Sequence, residues 1–288
     1  MLWVASLVTG AAQQAKLSPA WQSLADAERA FAKLSTEQGV RASFIANFAE
    51  DGINFAPGPV NTRETFNKRP AQTAPFPVTL NWTPVWGAVS AAGDLGFNTG
   101  PYVVTDNTPQ KRPPQHGMFF SVWQRQPDGA WKVRVDIGIN TPASVAPLDA
   151  PYHVVGTPKV VPAKAMAGDA EMQTVEREFL RAVQTGGAVK AYLNRSVAET
   201  RLHRADALPI VGPQALRTFL TAQKATLNFE LLQSGLARSG DFGWTMGKYE
   251  LKGAATETGH FVRVWQRDVK GAWRLLADVT NALPAAAK

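Results

Sequence analysis

The chain has 288 residues, 45% of them hydrophobic, a formal charge of +7 and no cysteine, with a pI near 9.7. That apolar fraction excludes a chain disordered throughout, and the missing cysteine excludes disulfides, thiolate catalysis and cysteine-ligated zinc. Only 18% of residues are charged and the basic ones are scattered, which argues against nucleic acid as a partner, since an electrostatic footprint needs clustering.

Residues 2–12 form a short apolar run followed by small residues. It looks like the rear of a truncated secretion signal or a tail, and points to a periplasmic or secreted protein, with the cytoplasm still compatible. No other stretch is apolar and long enough for stable membrane insertion. Ser18-Pro19 predicts the start of a first helix, because serine caps free amides and proline tolerates the first helical position. Trp21, Leu24, Ala27, Phe31 and Leu34 then recur at helical spacing. A second helix is expected near 39–49 and a short third at 62–68.

Strands follow in "PVTLNWTPVWGAVSA", "GFNTGPYVVT", "GMFFSVWQRQ" and "AWKVRVDIGIN". The last two are joined by Pro127-Asp128-Gly129, and Asp-Gly is a hairpin signal. Alternation places Trp131, Val133, Val135 and Ile137 on one face, and Lys132, Arg134 and Asp136 on the other. Residues 142–170 are rich in Pro, Ala and Gly and read as a linker with a short strand at His153–Val155. Beyond it the same order returns: a helix carrying Met172, Val175, Phe179 and Ala182, helices near 187–198 and 213–224, then strands with a turn at Val269-Lys270-Gly271.

The return is an internal duplication. "VWQRQPDGAW" matches "VWQRDVKGAW", so that Trp123, Gly129, Trp131 and Asp136 pair with Trp265, Gly271, Trp273 and Asp278, each 142 positions apart. Upstream, "GDLGFNTGPY" faces "GDFGWTMGKY" at a separation of 147, pairing Asp94 with Asp241 and Tyr102 with Tyr249. The difference of five residues falls in the polar, proline-rich "NTPQKRPPQHG". "AERAFAKL" likewise resembles "VEREFLRA".

The run "AERAFAKLSTEQGVRASFIANFAEDGINFAPGPVNTRETF", then "SAAGDLGFNTGPY", then "HGMFFSVWQRQPDGAWKVRVDIG" resembles the NTF2-like superfamily, in its uncharacterised bacterial branch related to SnoaL and DUF4440 domains. The resemblance covers about 20–140 well and about 171–283 less closely. It implies an α+β fold of two cone-shaped domains, each with N-terminal helices packed on a curved antiparallel sheet around a pocket. The domains are expected at 18–141 and 171–284. Members of this superfamily include isomerases, dehydratases, cyclases, hydrolases and binding modules, so the fold does not choose an activity.

Six polar residues are candidates for a pocket. Asp136 and Asp278 recur on matching strands, and a buried carboxylate has a raised pKa suited to moving a proton. By alternation, both fall on the sheet face away from the helices unless a bulge reverses it. Tyr102 and Tyr249 recur on a strand that lines the sheet, where a phenol can orient a ligand or serve the core. His203, in "ETRLHRAD", lies within reach of Glu199 or Asp206, and His260 alternates with Val262 and Val264. Asp94 and Asp241 belong to turns. No metal-ligand spacing and no cofactor motif is present, so neither a metal nor a cofactor is expected.

Three functions follow from this reading. The first is a tandem protein binding a small hydrophobic or amphipathic molecule in one or both pockets. The second is an isomerase- or dehydratase-like enzyme on a hydrophobic carbonyl compound, needing a carboxylate or histidine beside a tyrosine. The third is a non-catalytic interaction or structural module with filled pockets. The expected chain is a monomer whose two domains form an intramolecular pseudo-dimer through their sheets, with Arg134 and Asp136 facing Arg274 and Asp278.

Overall fold

The computed structural model describes residues 20–155, 168–223, 225–253 and 255–284. The signal-like run and the helix start at Ser18-Pro19 lie outside the described residues. Helix α1 (Ala20–Asn47) buries Leu24, Phe31 and Ala32 on one stripe, and Gly39 interrupts it at φ 83°. Glycine takes that left-handed angle without a Cβ clash, so the chain turns there and the two expected helices meet end to end. Strands β1 (Phe48–Phe55) and β2 (Pro59–Asn61) lead to α2 (Thr62–Asn67), whose start is capped by Asn61 Oδ1 accepting from the Glu64 amide at 2.9 Å. Then come β3 (Val78–Trp82), β4 (Trp86–Val89), β5 (Leu95–Asp106), β6 (Gln115–Arg125), β7 (Trp131–Asn140) and the short β8 (His153–Val154).

The second half repeats this order. Helices α3 (Ala170–Gly186) and α4 (Ala188–Arg195) are separated by Gly187 at φ 81°, the counterpart of Gly39. Strands β9 (Ser196–His203) and β10 (Ile210–Val211), helix α5 (Gly212–Ala222), and strands β11 (Thr226–Leu236), β12 (Phe242–Lys252), β13 (Thr256–Arg267) and β14 (Trp273–Ala282) complete it. Both expected hairpins form, with Gly129 at φ 87° and Gly271 at φ 80°. No described helix is long and apolar enough to cross a membrane.

The α+β class stands, but the cone-shaped, curved antiparallel sheets do not. The sheets are mixed and not strongly curled. One runs β2-β1-β7-β6-β5-β4-β8 with β3 also on β5, and the other runs β10-β9-β14-β13-β12-β11. β1 pairs with β7, and β9 with β14, in parallel. Residue pattern reveals strands but not the direction in which distant strands pair. The flatter shape follows from what covers each sheet. Helices cover one face, and the other face packs on the partner sheet. Phe97, Phe120, Val135 and Ile137 of the first sheet share a single buried cluster with Phe242, Met246, Val262 and Val279 of the second. Face-to-face stacking favours extended sheets over rolled ones. The rings of Phe97 and Phe242 stack across this contact at 6.2 Å.

The turns at its edge are reciprocal. Asp94 Oδ2 accepts from the Arg238 amide at 3.1 Å, and Asp241 Oδ2 accepts from the Ala91 amide at 3.0 Å. The duplicated Gly-Asp turns thus bind each other as well as themselves, a self-complementary contact within one chain. Trp123 and Trp265, by contrast, lie in separate sheets in matching helix-side surroundings. Each is fully buried and meets a helix phenylalanine edge-on, Phe31 at 6.1 Å and Phe179 at 5.3 Å.

Candidate functional site

A β-bulge decides which side chains face the helices. On β7, Val133 lies opposite Trp123 and Val135 opposite Val122, leaving Arg134 as the extra residue. On β14, Leu275 lies opposite Trp265 and Ala277 opposite Val264, leaving Leu276 extra. One extra residue shifts the alternation by one. Trp131 and Val133 therefore join the helix-side cluster, while Val135, Ile137 and Ile139 enter the core between the sheets. Asp136 and Asp278 follow the shift to the helix side. The expected single face of Trp131, Val133, Val135 and Ile137 is thus split in two. Arg134 and Arg274 do not pair with the opposite half as expected: Arg134 pairs with Asp51, at the edge of a hollow it shares with Ser234 and Trp244, and Arg274 pairs with Asp268 at 2.8 Å.

In the first half, Asp136 opens onto a cavity of about 310 Å³ between α1, α2 and the sheet. Its walls are Phe31 and Phe44 from α1, Phe66 from α2, Trp82 from β3 and Phe119 from β6. Tyr102, Asn54 and Gly138 complete the polar side, with Arg69 at the exposed rim. Among the described residues, Asp136 has one hydrogen-bond donor, the Ser121 hydroxyl at 2.6 Å to Oδ2. Burial pushes its pKa up to about 6, against the pull of that hydroxyl. Tyr102 donates to Asn140 Oδ1 at 2.8 Å, and burial, aided by the Asp136 charge, pushes its pKa up to about 12. Behind the aromatic wall, Glu28 is fully buried and accepts from the indole N–H groups of Trp82 at 2.8 Å and Trp123 at 2.6 Å. Burial raises Glu28 to about 8, with these N–H groups pulling down and Asp136 pushing up.

The second half fills the equivalent space with its own side chain. Strand registers place Arg263 opposite Asp278, where the first half has Ser121 opposite Asp136. Arg263 is fully buried, donates from Nε to Asp278 Oδ2 at 2.5 Å, and pairs with Glu176, the counterpart of Glu28. Asp278 also accepts from the Tyr192 hydroxyl at 2.8 Å and lies 2.7 Å from an Arg204 nitrogen. Burial alone would raise Asp278, but Arg204, Arg263 and Tyr192 hold its pKa at about 2. The first half has Phe44 in place of Tyr192, and Phe55-Ala56 in place of His203-Arg204. So one duplicated aspartate is surrounded by two arginines and a tyrosine, and the other, among the described residues, meets one hydroxyl.

The remaining candidates are dispersed. Tyr249 is buried, donates to Glu257 at 2.6 Å, and has a raised pKa from burial and that carboxylate. It shares a surface hollow of about 360 Å³ with His260, Phe229, Lys248 and neighbouring residues of β11–β13; no helix residue lines it. His260 lies 5.6 Å from the Phe55 ring, and burial, with Lys248 nearby, lowers its pKa. His203 lines neither cavity. It is buried against Phe120 and, among the described residues, neither ring nitrogen is hydrogen-bonded, so Glu199 and Asp206 do not reach it. Burial, together with Arg201 and Arg204, pushes its pKa down to about 3.

Asp136 carries a pH prediction. A carboxyl whose folded pKa is raised favours the folded state below its unfolded value of 3.8, and that support is lost as pH rises through about 6. Asp136→Asn should therefore stabilise the protein near pH 8 by about 1 kcal/mol, solvent at the cavity mouth screening part of the full shift, and should be neutral near pH 4. Denaturant melts of both proteins at the two pH values test this. An equal effect at both would show that Asp136 does not titrate in this range.

No protein-family model matches the chain, and no curated protein matches it. Solved structures do. They include a ketosteroid isomerase-like protein from Erwinia carotovora atroseptica (12% identity, TM-score 0.35, 40% of this chain and 95% of that one). An NTF-2 like protein of unknown function from Shewanella oneidensis is similar at 15% identity and TM-score 0.33, over 38% of this chain and 96% of that one. An NTF2-like protein of unknown function from Pseudomonas putida is similar at 15% identity and TM-score 0.34, over 41% of this chain and 88% of that one.

Proposed function

We propose that the first half of the chain binds a small, largely apolar molecule that presents one polar group to Asp136, and that the second half has lost the equivalent site. One observation carries this reading. Asp136 sits in an aromatic cavity with a single donor, while its duplicate Asp278 meets Arg263, Arg204 and Tyr192 in a filled space. An apolar pocket with few polar anchors is the usual form of a small-molecule site, and about 310 Å³ lies at the small end of that range.

The enzyme reading needs a donor aimed at a substrate carbonyl beside the carboxylate. Tyr102 commits its hydroxyl hydrogen to Asn140, so the geometry favours binding over proton transfer. A neutral naphthalene dye, titrated into the full chain and followed by its emission shift, tests the site. Gly138 lines the cavity, and a Cβ built there meets the Tyr102 ring at 3.5 Å, an ordinary contact. Gly138→Val should cut dye affinity at least about tenfold while leaving the melting temperature unchanged or higher, because valine suits a strand better than glycine. Undiminished binding to Gly138→Val would remove the cavity from consideration.

A further inference from the structure

We infer that the polar group of the ligand is a cation, a guanidinium or alkylammonium seated against Asp136 within Phe31, Trp82 and Phe119; this rests on the binding role proposed for the cavity. The second half displays the chemistry that fits. There the guanidinium of Arg263 lies 5.0 Å from the Phe179 ring centre, 4.1 Å from Phe229 and 4.0 Å from Phe261. Strand registers match these walls to the first half. Phe229 lies opposite Tyr249 as Trp82 lies opposite Tyr102, and Phe261 lies opposite Gly247 as Phe119 lies opposite Gly100. Phe31 meets Trp123 as Phe179 meets Trp265. With Ser121 at the place of Arg263, the walls and the aspartate remain while the cation is gone.

A cation over aromatic faces is attracted by their quadrupoles, most strongly over tryptophan, and Trp82 replaces a phenylalanine here. Glu28 cannot make the contact, because both its oxygens already accept N–H groups from Trp82, Trp123 and Asn98. Asp136 is the carboxylate left over, with Oδ1 free of any hydrogen-bond donor among the described residues. Arg69 opposes a cation, but it is exposed at the rim, 4.1 Å over the Phe66 ring. Solvent screens the exposed rim charge more strongly than the half-buried carboxylate, so Asp136 dominates inside.

Phenylguanidinium and phenylurea are planar and nearly isosteric, and differ in charge. Calorimetric titration of the full chain near neutral pH should show phenylguanidinium binding at least about tenfold more tightly. Asp136→Asn keeps an acceptor for Ser121 and should erase that preference. Equal or tighter binding of phenylurea would overturn the cation and leave the cavity standing. So would a phenylguanidinium preference that survives Asp136→Asn, which would place the cation elsewhere, or binding of the neutral dye with neither phenyl compound. If dye and both phenyl compounds all fail to bind, the binding role itself fails, and the cation with it.

Discussion

Arg263→Ser, which installs the residue of the first half in the second, is expected to cost about 3–5 kcal/mol of folding stability, the usual toll for leaving a buried charge without its partner. Glu176 and Asp278 are both fully buried and both contact Arg263. Glu176 would keep only the Thr245 hydroxyl, at 2.7 Å. Asp278 would keep Tyr192 and Arg204, so the larger part of the loss falls on Glu176. The substitution also strips the aromatic cage of Phe179, Phe229 and Phe261 of its contents, adding a cavity cost. On a chain of this size the melting temperature should fall on the order of 10 °C. The pH dependence gives a second readout. Asp278, with its pKa held at about 2, supports the folded state above its unfolded value of 3.8 and loses that support as pH falls towards 2. The gap between the two proteins should therefore narrow progressively as pH falls from neutral, because a carboxylate stranded in this core takes up a proton well above the ordinary range, as its counterpart Glu28 does. A loss under about 1 kcal/mol at neutral pH would mean that Arg263 is a tolerated passenger and not the centre of the second half.

That two halves exist was legible from ordered landmarks: Trp123 with Trp265, Gly129 with Gly271, Asp94 with Asp241. These residues are tied to local geometry, a buried indole, a positive-φ turn, a carboxylate that closes a tight turn, and local geometry is what a repeat in sequence reports. What lay beyond it was pairing at a distance. The parallel β1–β7 and β9–β14 neighbours depend on contacts that no local pattern encodes. The bulge is the clearest case. Strict alternation sends Asp136 away from the helices, and one unpaired residue at Arg134 brings it back. Nothing in "AWKVRVDIGIN" marks which residue will be left over.

The site was partly visible. Asp136 and Tyr102 do meet in one cavity, while Asp278 does not, because its partners lie on residues whose first-half counterparts differ. Glu28 and Glu176 were passed over although a signal existed. Each stands three residues before the matched Phe31 or Phe179, and so on the apolar stripe of its helix, where an unpaired acid is out of place. Ser121 against Arg263 was the other missed sign. An arginine within "HFVRVW", at a position whose duplicate is small and neutral, marks the point at which the halves diverged in chemistry while keeping their frame.

Ser121→Arg is the converse exchange, and it is expected to close the cavity without unfolding the protein. The introduced side chain starts from the strand position that Arg263 occupies, opposite an aspartate, and enters walls at matching positions, with Trp82 where the second half has Phe229. Binding of the neutral dye should fall at least about a hundredfold, since the side chain occupies the space the dye requires. The pKa of Asp136 should drop from about 6 to below the ordinary carboxylate value, a change that carbon-13 NMR of the labelled side chain follows directly. Stability should stay within about 1 kcal/mol of the parent. The new ion pair offsets its desolvation less fully than in the second half, because Phe44 lacks the hydroxyl of Tyr192 and Glu28 already accepts three N–H groups. Two results would count against the equivalence of the halves. A loss of about 3 kcal/mol or more would show that the space is too small for a guanidinium and that the core is overpacked. An unchanged Asp136 titration would show that the introduced charge escapes past Phe66 to solvent, leaving the aspartate as bare as before.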